Sequence, residues 1–163
     1  MASVDWANLP LGVKIFFSDA AKDVYEADFP AAATSGSAGF DLRAAFAADQ
    51  TKLVIEPGER CLIPTGISIE PLRDGVAGFV YSRSGLGAVK GLTVAQGVGV
   101  IDPDYRGEIL VSLLNTSPTP HTVRRGERIA QLIFQPFFIP RWEKADRLGE
   151  TMRGAGGFGH TGQ

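Results

Sequence analysis

Gly66-Ile67-Ser68-Ile69-Glu70 alternates apolar and polar side chains with a period of two. That is the pattern of a strand with one face buried and the other in water. Working outward, Pro57-Gly58 lies before this stretch and Asp74-Gly75 after it, and both are turn dipeptides. Beyond them, 77–81, 92–95, 108–114 and 128–134 read as further strands. Residues 98–101 form an apolar strand-like run, and 13–17 is a first strand followed by a polar, Ala-rich segment to Gly36. Arg106-Gly107 and Arg125-Gly126 supply more turns. Only 84–90 reads as helical, with Ser84 as a candidate N-cap and with Gly85 and Gly87 weakening it. Strands at roughly 8–12-residue spacing with turns between them predict an all-β sandwich or barrel.

Composition agrees and excludes much else. Glycine (20) and proline (10) make up about 18% of the 163 residues, where about 12% is usual. The length suits one domain. A net charge of −2 gives no basic footprint for nucleic acid. No apolar run approaches the ~20 residues of a membrane-spanning helix. Met1-Ala2-Ser3-Val4-Asp5-Trp6 lacks a basic region and an apolar core, so a cytoplasmic location is expected. One cysteine, Cys61, and two distant histidines make neither a disulfide nor a zinc site.

Five segments carry chemistry-bearing residues. Ala38-Gly39-Phe40-Asp41-Leu42-Arg43 puts a carboxylate in an apolar run, where it needs an arginine partner or supports a metal's waters. Tyr81-Ser82-Arg83-Ser84-Gly85-Leu86 places a cation, a hydroxyl and free N–H groups at a helix start, a setting that suits an anion. In Asp102-Pro103-Asp104-Tyr105-Arg106-Gly107, the first carboxylate is either a turn cap or a general base. Arg124-Arg125-Gly126-Glu127-Arg128 reads as an exposed charged turn, with Gln131 in the strand after it. From Arg153 the chain is half glycine. Such a segment is either a disordered tail or one that orders over a ligand, Arg153 on a phosphate and Phe158 on a flat ring.

Taken in order, 38–44, 83–86, 99–107, 126–134 and 153–162 resemble the five motifs of the deoxyuridine triphosphate nucleotidohydrolases, over nearly the whole chain. The resemblance implies a distorted jelly-roll (β-clip) barrel over 1–152 and a closing arm over 153–163. It further implies a homotrimer with active sites at subunit interfaces, and Mg2+-dependent hydrolysis of dUTP to dUMP and pyrophosphate. That activity keeps uracil out of DNA and supplies dUMP for dTMP synthesis.

By similarity, Asp102 activates the water, and Tyr105 packs under the deoxyribose. Gln96, Gly99, Val100 and Ile101 line the uracil hairpin. Arg83, Ser84, Gly85 and Gln131 hold phosphates, and Asp41 steadies waters on the magnesium. Phe158 stacks on uracil while Arg153, Gly159, His160 and Thr161 hold the γ-phosphate. Ser82, Gln96 and His160 depart from the family's commonest residues, which are proline, asparagine and serine. The dCTP deaminases resemble this fold too, but Asp102-x-x-Tyr105 and the Gly-Phe-Gly tail favour chemistry at phosphorus. A non-catalytic trimeric barrel is the third reading.

Overall fold

A computed structural model describes residues 11–25, 30, 32 and 34–156, and every strand among them pairs antiparallel. The strands are β1 Val13–Phe17, β2 Phe40–Arg43, β3 Lys52–Ile55, β4 Arg60–Pro64, β5 Ile67–Pro71 and β6 Val76–Tyr81. After one helical turn, Gly85–Val89, come β7 Leu92–Val94, β8 Val98–Ile101, β9 Leu110–Asn115, β10 His121–Arg124 and β11 Arg128–Pro136. They form a four-stranded sheet β2-β11-β6-β8, a three-stranded sheet β4-β9-β7, and the pairs β1-β5 and β10-β3. This is an all-β, distorted jelly roll. Strand order jumps along the sequence in every sheet, so the ends of distant segments are brought side by side.

The deciding stretch behaves as its alternation requires. Ile67 and Ile69 are buried on one face of β5, while Ser68 and Glu70 are half-buried on the other. Ile67 joins Leu42, Ile55, Ile63, Ile109, Leu113 and Ile129 in a core closed to solvent. Two polar residues are equally buried and both are satisfied. Thr65 donates its hydroxyl to Ile109 O at 2.6 Å, and Asn115 donates its amide to Ile55 O at 2.9 Å and Thr119 O at 2.7 Å.

Two local readings need correction. Ser84 does not cap the helical turn: it is itself helical and makes no capping hydrogen bond. The turn, a π-helix over Gly85–Val89, is entered through Arg83 O, which accepts from the N–H groups of Leu86 (3.0 Å) and Gly87 (2.8 Å). The turn at Arg125 is not simply a solvated charge. Its guanidinium grips both oxygens of Asp23 at 2.8 and 2.6 Å and also donates to Ala20 O (2.7 Å) and Phe46 O (3.0 Å). That grip holds the Asp23 carboxyl below its ordinary range.

Tyr25, next to this clasp, accepts a hydrogen bond from Arg43 N–H at 3.1 Å, and burial pushes its phenol up to about 12. Tyr25→Phe leaves that N–H unpaired and is expected to cost about 1–3 kcal/mol in denaturant melts. A phenol raised in the fold gives stability that is full below pH 10 and lost as pH rises toward about 12. Alkaline melts should show that loss in the parent and not in the Phe variant.

Candidate active site

The register of the four-stranded sheet sets Asp41, Gln131, Tyr81 and Val98 abreast, one on each strand. At this end the chain leaves β6 through Ser82 and Arg83, so three of the five sequence segments meet. Arg83 Nε donates to Asp41 Oδ1 at 2.8 Å, and Arg128 Nη1 donates to Asp41 Oδ2 at 3.0 Å. Gln131 Nε2 donates to Ser82 O at 3.0 Å, and Ser82 Oγ accepts from Val94 N–H at 2.8 Å. Asp41 is thus paired, and doubly so. Its half-buried carboxylate has two cations beside it, which offsets the cost of its desolvation. Arg83, Arg128, Lys90 and Gly85 line a concavity of about 290 Å³, an anion-attracting surface with Glu127 at its edge. Ser84 is exposed, with its hydroxyl uncommitted.

A second cavity, of about 230 Å³, lies under the turn that joins β7 to β8, against β9. Val80, Val94 and Val100 give it apolar walls, and Gln96, Gly99, Ile101, Asp102 and Tyr105 complete it. Sites for whole drug-sized ligands run ~300–1,000 Å³, so this one suits part of a larger molecule, such as a base and its sugar. Asp102 follows the end of β8. Its backbone carbonyl accepts from Tyr105 N–H at 3.0 Å, closing a turn, while its carboxylate is exposed at the rim. Tyr105 stands at the mouth, 44% exposed, and donates its hydroxyl to Glu108 O at 3.0 Å. A Cβ at Gly107 would come within 2.5 Å of Tyr105 Cζ, so the ring can lie on that backbone only because the residue is glycine.

The structure therefore sorts the sequence-predicted residues into two groups. Asp41, Arg83, Ser84, Gly85 and Gln131 share one end of the sheet. Gln96, Gly99, Val100, Ile101, Asp102 and Tyr105 share the cavity under the β7–β8 turn. Arg153 joins neither: its Nε donates to Gly156 O at 2.9 Å within its own turn. Phe158, Gly159, His160 and Thr161 lie outside the described residues. Sequence reasoning missed Arg128, although it begins the strand that carries Gln131. It also missed Glu108, which lines the cavity beside Tyr105.

The described residues hold no group of three or more His, Cys, Asp or Glu that encloses an ion. Asp41 and Glu127 are the carboxylates beside the arginines among the described residues, and each Asp41 oxygen already takes one N–H bond. That donor set fits a divalent ion that arrives with its own oxygen ligands and meets Asp41 through water, not one caged by protein. The wider groove of about 580 Å³ between β1, β5, β2 and β11 is lined by apolar residues only, including Leu11, Val13, Phe40 and Phe134, and offers no group for chemistry. No helix among the described residues is long and apolar enough to cross a membrane.

Comparison with known proteins identifies the family of the chain. The family model described as dUTPase matches residues 25–162. The deoxyuridine 5'-triphosphate nucleotidohydrolase of Desulfitobacterium hafniense is 54% identical over 133 residues, which cover 82% of this chain and 86% of that protein. The enzyme of the same name from Ectopseudomonas mendocina is 48% identical over 137 residues, 84% of this chain and 89% of that protein. Among solved structures, a dUTPase from Streptococcus mutans superposes with a TM-score of 0.64 at 27% identity, covering 80% of this chain and 99% of that one. A mutant dUTPase of Staphylococcus bacteriophage 80alpha with dUpNHpp shares the fold, with a TM-score of 0.77 at 24% identity over 94% of this chain and 99% of that one. By its family match and by relatives about half identical along most of its length, the chain belongs to the dUTPase family.

Proposed function

We propose that the protein hydrolyses dUTP to dUMP and pyrophosphate at sites shared between copies of the chain in a homotrimer. The observation that carries this reading is the nucleoside-sized cavity under the β7–β8 turn with an exposed, uncommitted carboxylate, Asp102, at its rim. The uracil faces main-chain groups of the β7–β8 turn and of β8 with Gln96 at its edge, and the deoxyribose sits on the Tyr105 ring. Asp102 accepts a proton from a water as that water's oxygen bonds to the α-phosphorus. The bond from the α-phosphorus to the bridging oxygen breaks, and pyrophosphate leaves with the electron pair. Arg83, the Ser84 hydroxyl, Gly85 and Gln131 position the phosphates, the larger part of catalysis in such displacements. Mg2+ held by the triphosphate supplies further charge neutralisation when bound, with Asp41 reaching it through water. Arg153 with Phe158 and 159–161 forms the arm that closes over base and γ-phosphate. The cytoplasm is the compartment in which we place this activity.

Two features support sharing between copies. Ile101 pairs with Gly78, whereas Arg83 lies five residues farther along the chain from Gly78, past the other end of β6. At about 3.3 Å per residue, Asp102 and Arg83 are separated by roughly 20 Å along the sheet. A triphosphate does not bridge that gap, so Asp102 of one copy and Arg83 of another must meet on one nucleotide. Beyond β11, moreover, Phe138, Ile139, Trp142 and Leu148 are each at least 85% exposed. Large apolar side chains left in water along one segment mark a surface that another chain covers.

The reading is tested by pyrophosphate release from dUTP with and without magnesium, alongside dTTP, dCTP and UTP. Release from dUTP alone, lost on chelation, is the expected outcome. Ammonia released from dCTP would instead indicate a deaminase.

A further inference from the structure

We propose that Glu108 is a positioning residue for sugar selection: by anchoring the backbone that holds the Tyr105 hydroxyl, it sets how strictly a 2′-hydroxyl is refused. This rests on Tyr105 being the sugar wall of the proposed site. An exposed tyrosine at a cavity mouth is ordinarily free to swing, and a wall that swings admits a larger ligand. Here the ring is held at three places. Its backbone N–H closes the turn on Asp102 O at 3.0 Å. The hydroxyl end of its ring rests against Gly107, where a Cβ would lie within 2.9 Å of Cε2. Its hydroxyl donates to Glu108 O at 3.0 Å.

The last bond is only as firm as the carbonyl it reaches. That peptide is held from two sides: its N–H, on Ile109, donates to Ile67 O at 2.8 Å, and the Glu108 side chain adds a second tie because Oε1 accepts from Gly66 N–H at 2.6 Å across 42 residues of sequence. Gly66 is a fixed point of the barrel. Its φ of +70° suits glycine, its backbone O accepts from Ser18 N–H at 2.8 Å, and an added Cβ would collide with Ala21. The chain of contacts therefore runs from the β4–β5 turn through Glu108 to the phenol that faces the cavity. Glu108 also lines that cavity with Asp102 and Tyr105, so slack introduced there is felt where the sugar sits.

The experiment measures kcat/KM for UTP and for dUTP in the full-length protein and its variants. In Glu108→Ala, Gly66 N–H loses its acceptor and the UTP/dUTP ratio is expected to rise about tenfold, toward the weaker discrimination of a merely apolar pocket. Glu108→Gln keeps an oxygen at the same reach and should restore the parent ratio. A purely structural role would lower both substrates together and leave the ratio unmoved. Should Glu108→Ala not fold, Tyr105→Phe removes the other end of the link and must raise the ratio in the same direction. An unchanged ratio in every folded variant, or no rescue by Gln, overturns the proposal while leaving dUTP hydrolysis intact. Parent protein that does not cleave dUTP overturns the site reading itself.

Discussion

Asp102→Asn is expected to leave a folded protein that binds dUTP with near-parent affinity and turns it over about 10²–10⁴ times more slowly. The binding half of this expectation follows from what the carboxylate does not do. It is exposed at the end of β8, and it is the residue's backbone carbonyl, unchanged by the substitution, that closes the turn to Tyr105 N–H. Exposed substitutions of this kind usually stay within about 0.5 kcal/mol of the parent. The catalytic half follows from what asparagine lacks. Its carbonyl oxygen can still orient a water, but it cannot take the proton as the oxygen bonds to phosphorus. Single-turnover measurement of dUMP separates the two halves, since binding is saturated and only chemistry is timed. Turnover within a few-fold of the parent would remove Asp102 as the base and leave the cavity under the β7–β8 turn a binding pocket without its acid–base group.

How much of this was legible beforehand depended on side-chain periodicity. Strands long enough to show two or more buried positions announced themselves: β5 through Ile67 and Ile69, β9 through Val111 and Leu113, and β11 through Ala130 and Leu132. β3, β4 and β10 did not, because four or five residues holding one fully buried side chain each (Ile55, Ile63, Val123) show no period at all. β4 also ends in Pro64, which reads as a break. These strands exist because a partner's register supplies their hydrogen bonds, information that is tertiary.

The candidate site was legible as motifs but not as geometry. Nothing in the spacing of Asp41, Arg83 and Gln131 says that they stand at one end of a sheet while Asp102 stands at the other. That follows only from β11 lying between β2 and β6. Nor does Arg128 differ in sequence from its neighbour Arg125. One holds Asp41 from the first residue of β11 and the other holds Asp23 from the turn before it, a difference that only the folded chain displays.

The separation of the two groups leads to the second large effect. Neither Asp102→Asn nor Arg83→Ala protein should hydrolyse dUTP appreciably alone, but the two, unfolded together and refolded as a mixture, should recover about a quarter of parent activity. The reasoning is combinatorial. If a site takes Asp102 from one copy and Arg83 from another, half the copies supply each intact residue at random, and both coincide in one site out of four. Folding should survive in each variant. Asp102 is exposed, and removing the Arg83 side chain still leaves Asp41 its bond to Arg128 at 3.0 Å. The informative control pairs Asp102→Asn with Tyr105→Ala. These two residues line one cavity of one chain, so no mixture of copies reunites them, and that pair should stay inactive. Recovery in the first mixture without recovery in the second places the subunit boundary between the Asp102 cavity and the arginine cluster. Failure of both would mean that a single chain bends far enough to close roughly 20 Å of sheet, which antiparallel strands with buried faces do not do.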